Sequence, residues 1–184
     1  LLAATLPVHQ VACGVSDILM HTLDRYFNPV TDNALTDELA EALLRVVLEY
    51  GPAAVRDAHD EKAMSEIMWA GSLSHNGLTG LGGKKDFATH QLGHALSEKF
   101  DVYHGDSLTA VWSSWARFAR FARNVWHVEE ADDTAAALAG IAKQESFFRS
   151  IGMPVCLGEL SCSKQDEAGL ADLASRCSYG KTRT

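Results

Sequence analysis

"ATHQLGHALSEKFDVYHGDSL", residues 88–108, places His90, His94 and His104 in one short stretch of a chain that has eight histidines. His90 and His94 are four residues apart, so on a helix they share a face. His104 lies fourteen residues after His90. A continuous helix would carry it roughly 21 Å along the axis. Two ligands of one ion, each ~2.0–2.1 Å from it, cannot be anchored that far apart. Either His104 is unrelated to the pair, or the helix ends and the chain turns back. The intervening residues allow the turn. Asp101 can leave the helix, and Gly105 can supply an unusual backbone angle.

The pattern around this stretch is helical almost throughout. Residues 10–27 carry an apolar stripe at Val11, Val15, Ile18, Leu19, Leu23 and Phe27. Thr36 is placed to cap a second helix, and Gly51-Pro52 to stop it. "DEKAMSEIMWAGSLSHNG" reads as a third, ending near Asn76-Gly77. Glycines 77, 80, 82 and 83 make a loop. A fourth helix is expected over 86–100 and a fifth over 106–123. A sixth opens at Asp132 or Asp133 and ends at Gly152 and Pro154, and "KQDEAGLADLASRC" is a seventh. Alternating strand patterns are scarce, and there is no repeat and no Pro/Ser-rich linker. The expectation is one all-α domain over residues 1–184. "GLTGLGG" follows a helix rather than a strand, so it reads as a connection and not as a phosphate-binding loop.

Composition narrows the function. The net charge is −8 and no basic run occurs, which argues against nucleic acid as a partner. No apolar stretch reaches the ~18 residues of a membrane span. The opening residues lack the Lys or Arg of a signal peptide. Cys13, Cys156, Cys162 and Cys177 form no CxxC pair, which fits reduced thiols in a cytoplasmic protein. Cys156 and Cys162 also lack zinc-ligand spacing. Trp69, Trp112, Trp115 and Trp126 sit at mostly apolar positions and are expected in the core.

A second pair stands on the first helix. Asp17 and His21 are i and i+4, about 5–6 Å apart on one face. A carboxylate and an imidazole on one helix, facing an imidazole pair on another, is how a helical core builds a metal site. If the chain turns back before His104, one carboxylate and three histidines converge. The alternative is a set of hydrogen-bonded core histidines, which is the ordinary state of a buried imidazole. His9, His59, His75 and His127 have no partner at ligand spacing and take that ordinary reading. Asp24 and Arg25 read as surface charges.

"GVSDILMHTLDRYF", "DFATHQLGHALS" and "DVYHGDSLTAVW" resemble the C-terminal domain of the iron-containing (group III) alcohol dehydrogenases, nearest the NADPH-dependent butanol dehydrogenase type. The resemblance continues through "NVWHVEE" and "FFRSIGMP". It implies the helical metal-binding domain of the dehydroquinate synthase-like/iron-containing alcohol dehydrogenase fold. By position it implies that Asp17, His21, His90 and His104 hold one divalent ion, Fe or a substituting Zn, Ni or Co. His94 falls where the family has a histidine beside the metal that faces nicotinamide and substrate. The implied reaction exchanges hydride between a metal-bound alkoxide and NAD(P)(H), on a primary alcohol or aldehyde, in a cytoplasmic homodimer. Three departures stand out. Nothing here corresponds to the family's N-terminal nucleotide-binding domain. The segment between the Trp-containing helix and "NVW" is shorter than usual. The family's C-terminal tail after "GKTRT" is missing. A chain with only this half is expected to be inactive alone. A zinc glycerol-dehydrogenase-like enzyme, with an Asp/His/His set, and a non-catalytic metal-binding helical module are the alternatives. A metal-dependent hydrolase would need a general base near the ion, and no Glu lies at an obvious spacing.

Overall fold

The computed structural model describes residues 2–27, 32–83, 87–112, 119–160 and 169. Among the described residues every regular element is a helix. The α-helices are α1 (Val8–Tyr26), α2 (Ala34–Arg56), α3 (Glu61–His75), α4 (Ala88–Phe100), α5 (His104–Trp112), α6 (Ala119–Asn124) and α7 (Asp133–Ser150). Short 3-10 turns occur at Leu2–Thr5, Leu78–Gly80 and Leu157–Glu159.

Helix α1 organises the fold. It packs against α2, α3, α4 and α5. Its Val15, Leu19 and Leu23 are fully buried, together with Leu44 and Val47 of α2. Burying one such side chain contributes about 1.5–3 kcal/mol. The same helix therefore supplies the centre of the core and, on the face toward α4 and α5, Asp17 and His21. Caps formed by carboxylates set other helix starts. Asp60 accepts from the Ala63 N–H, and Asp132 from the Ala135 N–H. Asn76 follows the last residue of α3, and Gly77 takes the left-handed conformation beyond it.

Three expectations about the helices and the core need correction. Helix α2 starts after Asn33, whose carbonyl accepts from the Asp37 N–H, so Thr36 lies buried inside the helix instead of capping it. Gly51-Pro52 does not stop α2, which continues to Arg56. Pro52 removes one backbone bond, but Ala54 and Val55 beyond it are buried and hold the last turn. Trp69 is 64% exposed and overlooks a groove between α2 and α3, while Trp112 is core and Trp126 packs against it. The fifth expected helix, over 106–123, is described only at its two ends, as α5 and α6; residues 113–118, and so Trp115, lie outside the described residues. The seventh, over 164–177, also lies outside them except for Gly169.

The turn before His104 is made as expected at one end and differently at the other. Asp101 leaves α4 in the left-handed conformation, φ 53°. Gly105 has no unusual angle, because it sits in the first turn of α5. Its role is contact: a Cβ there would lie 2.6 Å from Cys13 Cα on α1. The missing side chain lets α5 close on α1, and that approach carries His104 to the site. Gly105→Ala is expected to destabilise the chain by about 1–3 kcal/mol through overpacking, read as a shift in the denaturant midpoint.

Candidate metal centre

Asp17 Oδ1 is the meeting point of α1, α4 and α5. His90 Nε2 lies 3.5 Å from it, His104 Nε2 3.5 Å and His21 Nε2 3.8 Å. Ligand atoms ~2.0–2.2 Å from a tetrahedral ion stand about 3.3–3.5 Å from one another, so the spacing fits one shared cation. Donor atoms of Asp17, His21 and His90 all lie within 4.8 Å of each other. His104 stands a little outside that trio, its ring 5.5 Å from the His90 ring, and joins through Asp17. Asp17 Oδ1 and His90 Nε2 are buried with no hydrogen-bond partner. Buried polar atoms rarely stay so unless something else binds them.

The surrounding groups aim these atoms. His90 is 5% exposed. Its Nδ1–H donates to Asp24 Oδ2 at 2.7 Å, which leaves the Nε2 lone pair for the centre. The backbone N–H of His90 donates to the same oxygen at 3.3 Å. The other oxygen of Asp17 accepts from His75 Nε2–H at 3.1 Å. The His75 ring lies 4.0 Å from the His21 ring. Arg25 is buried, donates to the carbonyls of His21 and Ser74, and covers the Phe87 ring at 4.9 Å. Asp24 and Arg25 are therefore not surface charges. Both lie against the site and pin its helices.

Charge follows from this packing. Burial pushes the Asp17 carboxyl up, but His90, His21, His75 and His104 outweigh it and hold it at about 2. Burial brings His21 down to about 4, with the neighbouring His90 adding to the effect. Burial also lowers His104, helped by His94 and His90 against the pull of Asp17. His90 goes the other way: burial lowers it, but the bonds to Asp17 and Asp24 prevail and raise it above the ordinary imidazole value. At neutral pH the centre thus offers an ionised carboxylate and neutral imidazoles at His21 and His104.

His94 is exposed on α4 and stacks on His104, ring centroids 4.6 Å apart at 15°. It lies beside the cluster, and no ring nitrogen of it comes within ion-pair distance of Asp17 among the contacts described. His59 pairs with Asp57 on the surface, and His127 is exposed. His75 and Asp24 were not singled out from the sequence. Asp24 carried a signal, since Asp17, His21 and Asp24 follow the i, i+4, i+7 spacing of one helical face. His75 carried none, because its partner is 58 residues away. Asp24→Asn keeps the shape but weakens the acceptor for His90 Nδ1–H, and metal affinity is expected to fall about 10–100-fold, measured by competition with a chelator.

The sequence profile of the Fe-containing alcohol dehydrogenase family, C-terminal, matches residues 10–184. NADH-dependent butanol dehydrogenase A of Clostridium acetobutylicum is 33% identical over 96% of this chain and 48% of its own length. NADPH-dependent aldehyde reductase YqhD of Escherichia coli is 34% identical over 84% of this chain and 42% of its own length. The substrate- and cofactor-free structure of YqhD superimposes with a TM-score of 0.88 at 31% identity, over 96% of this chain and 48% of that one. A Thermotoga maritima butanol dehydrogenase structure shares the fold, with a TM-score of 0.86 at 24% identity over 95% of this chain and 45% of that one. The chain spans about half the length of the curated relatives it matches. On these matches, and on a helical fold without strands among the described residues, the chain belongs to the Fe-containing alcohol dehydrogenase family and has the fold of its C-terminal helical domain.

Proposed function

We propose that this chain is the metal-binding catalytic domain of an alcohol dehydrogenase or aldehyde reductase, with Asp17, His21, His90 and His104 as ligands of one divalent ion. The observation that carries the reading is the convergence of three imidazole Nε2 atoms on one buried, unpartnered oxygen of Asp17. A set of three nitrogens and one oxygen suits Fe(II), Zn, Ni or Co. When bound, such an ion supplies Lewis acidity, which acidifies an alcohol or polarises an aldehyde carbonyl so that hydride can pass to or from a nicotinamide. The chain's own residues do the rest. Asp17 contributes the negative charge, and His75 fixes its second oxygen. Asp24 orients His90. Packing of α1 against α4 and α5 buries Oδ1 of the Asp17 carboxylate.

His94 sits at the exposed edge of the ligand cluster, stacked on His104. We assign it the transfer of the alcohol proton to solvent. Imidazole is the side chain most often used for such proton transfer. In the whole protein, an N-terminal nucleotide-binding domain would supply NAD(P), and the substrate would be a primary alcohol or aldehyde. Assembly as a cytoplasmic homodimer is part of the same proposal. The position of His104, 3.5 Å from Asp17 Oδ1, favours four ligands over the three-ligand set of zinc glycerol-dehydrogenase-like enzymes.

His94→Ala tests the division of labour in the intact enzyme. Metal content should stay at the wild-type level. Turnover should fall by about 10²-fold, the low end for loss of a general acid–base group, or its pH dependence should change. Loss of metal would make His94 a ligand instead.

A further inference from the structure

His9 and Cys13 lie one turn apart on α1, and Cys13 is one turn before Asp17. Asp106, in the first turn of α5, comes against both. One donor atom from each of His9, Cys13 and Asp106 lies within 4.8 Å of the other two. His9 Nε2 is 3.1 Å from Asp106 Oδ2. Asp106 is only 5% exposed, and its other oxygen, Oδ1, is buried with no hydrogen-bond partner. A buried carboxylate oxygen in that state is open to a hydrogen-bond donor or a cation. Arg149, which lines the adjoining cleft, is already bound to Glu159 at 2.6 Å.

The cluster stands on rigid elements. Gly105 packs directly on the Cys13 backbone, so α1 and α5 fix the three side chains relative to one another. A cleft of about 620 Å³, bordered by His9, Tyr103, Asp106 and Met153, opens the cluster to solvent.

We propose that His9 Nε2, Cys13 Sγ and the Asp106 carboxylate form a second metal site, for a thiophilic divalent cation of the Zn(II) class. A thiolate with an imidazole and a carboxylate selects zinc or cobalt over magnesium or calcium. Three protein donors leave a fourth position facing the cleft, open to water or a small ligand. Binding converts the Cys13 thiol to thiolate and releases its proton to solvent. No donor is shared with the Asp17 centre, so the second site stands or falls independently of the function proposed above.

Cobalt(II) titration of the full chain reads the two sites separately, because only a thiolate donor gives a near-ultraviolet charge-transfer band and the Asp17 centre has none. The expected result is such a band in the wild type, its loss in Cys13→Ser, and its persistence in the triple variant Cys156→Ser/Cys162→Ser/Cys177→Ser. Asp17→Asn should also retain it. His9→Gln changes a half-buried side chain and is a second arm that does not depend on the fold of Cys13→Ser. It should weaken the band-forming site more than tenfold. Absence of the band in the wild type, its survival in folded Cys13→Ser, or unchanged affinity in His9→Gln would overturn the site.

Discussion

His90→Ala is expected to leave the chain with less than a tenth of the wild-type metal at the Asp17 centre after dialysis. The reason is position. His90 is the most buried of the three imidazoles and has its other nitrogen locked on Asp24. Removing an outer partner of a ligand costs about 10–100-fold in affinity, and removing the ligand itself should cost more. Asp17→Ala should do the same, since every Nε2 contact converges on its Oδ1. Unchanged metal stoichiometry in both variants would sink the ligand assignment. The pH dependence has a definite sign. The His90 pKa is raised, so its pairs with Asp17 and Asp24 stabilise the metal-free fold fully below ~6.5 and fade as pH rises through the folded value. A metal competes with that proton for Nε2. Metal affinity should therefore fall as pH drops through the raised His90 pKa. The His21 pKa, at about 4, and the Asp17 pKa, at about 2, lie below this window and do not set it.

The second large effect is on catalysis by these 184 residues alone. They are expected to bind metal and to transfer no measurable hydride. Among the described residues no strand, glycine turn and helix N-terminus come together to hold a dinucleotide's pyrophosphate. Fixing two reactants in line is worth roughly 7–11 kcal/mol of barrier, and an untethered nicotinamide forfeits most of it. Micromolar NADPH binding by fluorescence, or clear butanal reduction, would show that the cofactor is held by residues of this chain.

The sequence disclosed those parts of the site whose geometry is local. Asp17 with His21, and His90 with His94, are one-turn pairs, and helix periodicity is enough to align them. His104 needed a chain reversal, and Asp101 marked where it occurs. The contribution of Gly105 was legible only as a glycine. Its purpose, letting α5 touch Cys13, depends on a partner more than ninety residues away. Asp24 and Arg25 misled because charge usually means solvent, whereas here both face the packed site. His75 and His9 reach their carboxylates only through tertiary packing. Pro52 misled in the opposite sense: a local stop signal was overridden by the buried turn that follows it. Trp69, apolar but exposed on α3, shows that residue type alone does not place a side chain in the core.

Anomalous diffraction from crystals loaded with Zn(II) tests the central claim most directly. The account predicts a peak bound by Asp17 Oδ1 and by Nε2 of His21, His90 and His104, each ~2.0–2.2 Å from the ion, with His94 outside bonding distance. An ion that bound His94 in place of one of these four, or no ion between α1, α4 and α5 at full occupancy elsewhere, would contradict it.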